Sequence, residues 1–204
     1  FLPQYFKDHG YKTIGVGKIF HNHAPEGNFE VSGGRIDGFG PRPEKRMEWN
    51  KKGTSTDWGA YPEHDSLMSD YTYAEWTQKQ LQKKHNRPFF MAVGFIRPHV
   101  PWHAPKQWFN RYNPDEITLP PFLPNDFDDL PEIAKKVAYK GMMPTTNWAI
   151  ESGEWKNIIQ AYLACISFVD HQVGVVLDAL HNSAYKNNTI VILWSDHGYE
   201  LGEK

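Results

Sequence analysis

The chain has 204 residues, 40% of them hydrophobic and 15% aromatic, with a formal charge of −2. That is enough apolar material for one filled core and is not the composition of a disordered chain, while the near-neutral balance leaves no basic footprint for nucleic acid. No segment approaches the roughly 18 consecutive apolar residues of a membrane span. The opening Phe1-Leu2-Pro3 is neither a start nor a signal peptide, so the chain reads as an internal piece of something longer.

Residues 2–9 read as the end of an amphipathic helix, with Leu2, Tyr5 and Phe6 on one face and Gly10 just past its end. A strand over 11–16 follows directly. From 22 to 62 the chain is dense in Gly, Pro, Asn, Lys and Glu and has little periodicity, which predicts a long irregular excursion. Residues 70–84 have helical spacing, with Tyr73, Trp76, Thr77 and Leu81 inward. Asn86-Arg87-Pro88 breaks that helix before a strand over 89–95.

Residues 106–112 predict one or two helical turns, and 130–140 a second short helix. The strongest helix is 154–180, where Ile158, Tyr162, Cys165/Ile166, Val169, Val173, Val176/Leu177 and Leu180 recur at the steps of one buried stripe. Cys165, the only cysteine, sits among apolar residues on that helix and reads as an inert core thiol; it excludes an intrachain disulfide. Asp170, beside the stripe, reads as a paired structural carboxylate. Thr189-Ile190-Val191-Ile192-Leu193-Trp194 reads as a buried strand, central in a parallel sheet. Helix followed by strand, repeated with short connections, predicts an α/β sandwich.

Each predicted strand delivers polar residues at its carboxyl end, where open α/β sheets bind ligands. The first leads into Lys18 and His21, the second into Arg97, His99 and Trp102, and the last into Asp196 and His197, with Tyr199 after the turn. An ammonium suits a compact anion. Pro98 and Pro101 restrict the backbone around His99, so its imidazole loses little entropy on being aimed. A carboxylate beside an imidazole suits a hard cation. Taken singly, these are a solvated lysine, a loop histidine pinned by prolines, and a strand-ending turn.

Taken together and in order, GYKTIGVGKIFH, PFFMAVGFIRPHVPW, YLACISFVDHQVGVVLDAL and TIVILWSDHGYELGE resemble the type I sulfatases. Two features match the iduronate-2-sulfatase group and its bacterial relatives: the Lys18-Ile19-Phe20-His21 spacing, one residue longer than the common Lys-x-His, and His197 after Asp196 in place of asparagine. The resemblance covers the whole chain, more weakly over 22–71 and 114–152.

It implies an alkaline phosphatase-like α/β/α sandwich with a mostly parallel central sheet, residues 1–204 being the central part of the catalytic domain. It implies removal of sulfate from a sulfated sugar or polysaccharide by a formylglycine nucleophile that lies outside this chain, with Ca²⁺ in preference to Mg²⁺. Lys18 would pair with the sulfate. His21 would take the proton from the formylglycine hydrate as sulfate leaves, and His99 would protonate the leaving oxygen. Asp196 and His197 would ligate the metal, and Arg97, Trp102 and Tyr199 would line the substrate pocket. A formylglycine-generating enzyme would be the maturation partner, and the location periplasmic or extracellular, or lysosomal in a eukaryote. His23 reads as exposed, and Lys204 is given no role. The alternatives are a phosphodiesterase or phosphonate hydrolase of the same superfamily, and a homologue that keeps the fold without the chemistry.

Overall fold

A computed structural model describes residues 1–36, 38–49, 54–138, 141–199 and 201–202. Lys204 and the last two residues of the helix predicted over 130–140 lie outside the described residues. In chain order the elements are α1 (Leu2–Asp8), β1 (Lys12–Gly17), β2 (Val31–Gly34), β3 (Trp58–Ala60), α2 (Ser69–Leu81), β4 (Phe89–Gly94), β5 (Trp102–Ala104), α3 (Lys106–Phe109), α4 (Glu132–Ala138), α5 (Thr146–Glu151) and α6 (Trp155–His181).

β1 is the middle strand of a parallel sheet ordered β2-β1-β4. Flanked on both sides, Thr13 and Ile14 are fully buried. Burial of Ile14 and Val16 is worth roughly 1.5–3 kcal/mol each. Alternation along the strands divides the two faces. Val16 and Val93, opposite each other in register, face Tyr73 and Trp76 of α2. Phe90, one residue out of phase, turns to the other face and stacks on Phe6 of α1 at 4.5 Å. Helices thus cover both faces of a parallel sheet, as the sequence predicts. β3 and β5 form a second, two-stranded parallel sheet packed on α6.

Within the irregular stretch the sequence does not announce β2 or β3. Val31-Ser32-Gly33-Gly34 is a poor strand former, and its ladder is supplied by β1. In α1, Phe6 packs as expected, but Leu2 and Tyr5 are exposed.

α6 spans the predicted range, yet its buried side is turned from the predicted stripe. Ile158, Ala161, Ala164, Cys165, Phe168 and Gln172 face the core, while Ile166 and Leu177 are exposed and Asp170 is exposed rather than buried with a partner. Large residues dominate a periodicity count, but small ones sit where β5 and α2 press on the helix. Cys165 is fully buried, and burial pushes its thiol up to about 12. By length and composition α6 could cross a membrane; here one side of it packs on α2, α3 and β5.

The expected central strand at 189–194 does not form. Ile190 is 89% and Trp194 71% exposed, and the segment joins no ladder. β-branched and aromatic composition fits a pleated surface but cannot supply the neighbour that completes the hydrogen bonds. Among the described residues no strand lies beside it.

Candidate active site

β1 and β4 end together, Gly17 opposite Gly94. A Cβ on Gly94 would overlap the Lys18 backbone, and one on Gly17, whose φ is +84°, would overlap the Gly94 carbonyl. Two glycines therefore let the chains close up, and the Lys18 N–H donates to the Gly94 carbonyl at 2.7 Å. This fixes Lys18 beside the segment that leaves β4.

That segment carries His99. Its Nδ1 bonds the Val100 carbonyl at 2.7 Å. A carbonyl only accepts, so Nδ1 holds the proton and Nε2 is left with the lone pair in the neutral ring. The imidazole lies flat on the Phe39 ring, 4.1 Å between centroids and 6° between planes. Burial lowers the His99 pKa, the Val100 bond opposes this, and the charges of Lys18, Arg97 and His197 lower it further. The charges of Lys18 and His197 therefore both reach the His99 imidazole.

Tyr199 brings the last turn to the same segment. Its ring packs edge-on against Trp102 at 5.3 Å and Tyr162 at 5.9 Å, and it bonds the Val100 backbone. Burial raises its phenol pKa. Asp196 and His197 stand exposed just before it. Asp196 Oδ1 accepts the His197 N–H at 3.0 Å, the first cause of its lowered pKa. His197 Nδ1 bonds the Gly198 carbonyl, which leaves Nε2 open, 3.8 Å from Asp196 Oδ2.

An ionised carboxylate and an imidazole with a free Nε2, 3.8 Å apart, fit part of the shell of a divalent cation. No group of three or more His, Cys, Asp or Glu among the described residues completes it.

Arg97 and Trp102 are not exposed to substrate. Trp102 is fully buried, and its Nε1 donates to the Pro98 carbonyl at 2.8 Å. Arg97 is 4% exposed and its guanidinium donates to the carbonyls of His103 at 2.9 Å and Phe39 at 2.8 Å. Both hold the loop around His99. His21 is exposed, and the structure fixes its backbone: its carbonyl accepts from Arg35 at 2.6 Å.

Three residues that sequence reasoning passes over also shape the site. Phe39 comes from the irregular stretch, where an aromatic beside a glycine carries no signal of its partner. Asp70 reads only as an acidic residue in a helix's first turn, a signal for dipole stabilisation rather than for a tertiary brace. Asp57 pairs with His103 at 3.2 Å, both nearly fully buried, and with Arg46 at 3.6 Å. Burial raises the Asp57 pKa, but the His103 and Met47 hydrogen bonds and the Arg46 charge outweigh it and hold the carboxyl below its ordinary value.

Comparison with known proteins adds to this geometry. Residues 1–204 match the Sulfatase family model. The chain is 54% identical over 215 residues to a protein named Sulfatase from Formosa agariphila, covering all of this chain and 42% of that one. It is 32% identical to the mouse Iduronate 2-sulfatase, covering 99% of this chain and 40% of the relative. The chain therefore spans about two-fifths of the length of these relatives. Among solved structures, the Phosphonate Monoester Hydrolase of Agrobacterium radiobacter shares the fold, with a TM-score of 0.56 over 89% of this chain and 44% of its own at 17% identity.

Proposed function

The chain belongs to the sulfatase family, and from that premise we propose that it is the central part of a catalytic domain that hydrolyses sulfate esters of a sugar or polysaccharide. The observation that supports this reading is the meeting of an ammonium, an imidazole with a free Nε2, and a carboxylate–imidazole pair beyond the carboxyl ends of two parallel strands. When bound, a formylglycine hydrate supplies the oxygen nucleophile and a divalent cation, Ca²⁺ before Mg²⁺, supplies positive charge beside the sulfate.

The chain's own residues do the rest. Lys18 places a fixed cation where the anionic ester binds, and in a partly desolvated site that attraction is worth far more than in water. His99 binds as the imidazolium and gives its Nε2 proton to the departing alcohol oxygen. Its lowered pKa makes it the stronger acid, and the arriving sulfate anion offsets the cost of charging it. Asp196 and His197 hold part of the cation's shell, with the His197 tautomer set by Gly198. His21 takes up the proton released as inorganic sulfate departs. The same reading carries a location in the periplasm, outside the cell or in a lysosome, and maturation by a formylglycine-generating enzyme.

The test uses the full-length protein with Ca²⁺, assayed against an aryl sulfate, a sulfated sugar and a phosphonate monoester. Release of sulfate at rates above those for phosphonate cleavage is the expected result. Phosphonate cleavage that outpaces sulfate release overturns the assignment in favour of a phosphonate hydrolase.

A further inference from the structure

Asp70 is 1% exposed at the start of α2, and both its oxygens meet the backbone beyond β4. Oδ1 accepts the Ile96 N–H at 2.7 Å and Oδ2 the Arg97 N–H at 3.0 Å. A carboxylate is costly to take out of water and survives burial only where its lone pairs are met. Here two consecutive amides of the segment leading to His99 meet them.

Arg97 extends the brace. Its Nε donates to the His103 carbonyl and one Nη to the Phe39 carbonyl, with a longer 3.5 Å contact to the His99 carbonyl. Gly40 packs on the other Nη, where a Cβ would stand 3.1 Å away. The Phe39 ring then lies on the His99 imidazole. The Ile36 N–H, donating to the Tyr73 hydroxyl at 2.9 Å, ties the same loop back to α2. A continuous run of contacts therefore leads from Asp70 through Arg97 and Phe39 to the plane of the His99 ring.

We propose that Asp70 is a positioning residue for His99: through the amides of residues 96 and 97 and the Arg97 guanidinium it sets where the imidazole stands relative to Lys18. The inference rests on the reading of His99 as a residue of sulfate-ester hydrolysis. A carboxylate that merely ended β4 would affect stability alike whether or not His99 were present. One that positions His99 loses its effect on turnover once His99 is gone, because residues acting as one unit are not additive.

The experiment compares full-length wild type, Asp70→Asn, His99→Ala and the double variant. Asparagine keeps the shape of the side chain but sets an NH₂ against one of the two amides. Asp70→Asn should lower kcat on an unactivated sugar sulfate by about tenfold or more with little change in KM, as expected for small misplacements. The double variant should be no slower than His99→Ala alone. Multiplying losses, or a folded Asp70→Asn with unchanged kcat, would overturn the proposal. If Asp70→Asn fails to fold, Arg97→Lys, which keeps the charge and loses the fork, takes its place in the same cycle.

A readout without turnover separates this from the functional reading. Carbethoxylation of His99 by diethyl pyrocarbonate, followed by mass spectrometry, should quicken severalfold in Asp70→Asn as the ring leaves Phe39. An unchanged rate sinks the brace even in an enzyme of high activity. A wild type that cleaves no sulfate ester, with a quickened rate in the variant, sinks the functional reading and leaves the brace standing.

Discussion

Gly17 and Gly94 face each other in register at the ends of β1 and β4, and the space a side chain would fill on either one is taken by the backbone of the other strand or of Lys18. The strand ends meet because neither residue has a Cβ, and the position of Lys18 depends on that closeness. Gly94→Ala should cost about 1–3 kcal/mol, the usual penalty for overpacking, and lower turnover with it. Gly10→Ala is the control. Gly10, unlike Gly94, has a positive φ, +84°, but nothing stands within 4 Å of its missing Cβ. Its cost should be about 1 kcal/mol of backbone strain, with activity kept. Full turnover kept by Gly94→Ala would mean that the strands can part without harm to the site.

The Asp57–His103 pair joins β3 to β5, just beyond the His99 loop. Asp57→Ala should destabilise by about 3–5 kcal/mol, since it leaves the buried His103 ring nitrogen and the Arg46 guanidinium without their partner. The pH dependence has a definite sign. The folded carboxyl titrates below its ordinary value of 3.8, so the stability it contributes is present above that pH and is lost as pH falls through the folded pKa. Denaturant unfolding of wild type and Asp57→Ala between about pH 5 and about pH 3 should show the difference between them shrinking at the acid end. A constant difference would remove Asp57 from the acid response.

His99 titrates below the ordinary 6.5. The acid form that donates the proton is therefore lost as pH rises through a value under 6.5. In the full-length enzyme, kcat/KM on a sugar sulfate should fall through that range, and His99→Ala should abolish the limb. The loss should exceed that on an activated aryl sulfate by about 10²-fold, because a good leaving group needs no proton. His21→Ala should slow both substrates alike. Equal losses for His99→Ala on the two substrates would reduce His99 to a sulfate contact.

Metal dependence tests the final turn. A cation that binds only the folded state raises stability by about 2.7 kcal/mol at a hundredfold excess over Kd. The full-length protein should melt higher with excess Ca²⁺ than with chelator, and Asp196→Ala should shrink that shift. Tyr199→Ala should do the same without touching a ligand, since Tyr199 docks the turn on Trp102 and Tyr162. A wild-type melt indifferent to chelator would remove the metal role from Asp196 and His197.

The residues proposed to carry chemistry stand out in the sequence through short-range patterns and their resemblance to the sulfatase motifs. The strand over 11–16, the strand over 89–95 and the helix at α2 announce themselves by local periodicity, and Lys18 and His99 follow as the residues those strands deliver. The parallel sheet with helices on both faces follows in the same way. Relations between distant parts were not legible. Phe39 stacks on a histidine sixty positions on, and Asp70 grips amides that a strand and a loop separate from it. Which side of α6 turns inward was set by where β5 and α2 press on Ala161 and Ala164. Residues 189–194 show the limit most plainly. Their composition is that of a buried strand, but a strand is made by its neighbour's hydrogen bonds, and no local pattern can say whether one is there.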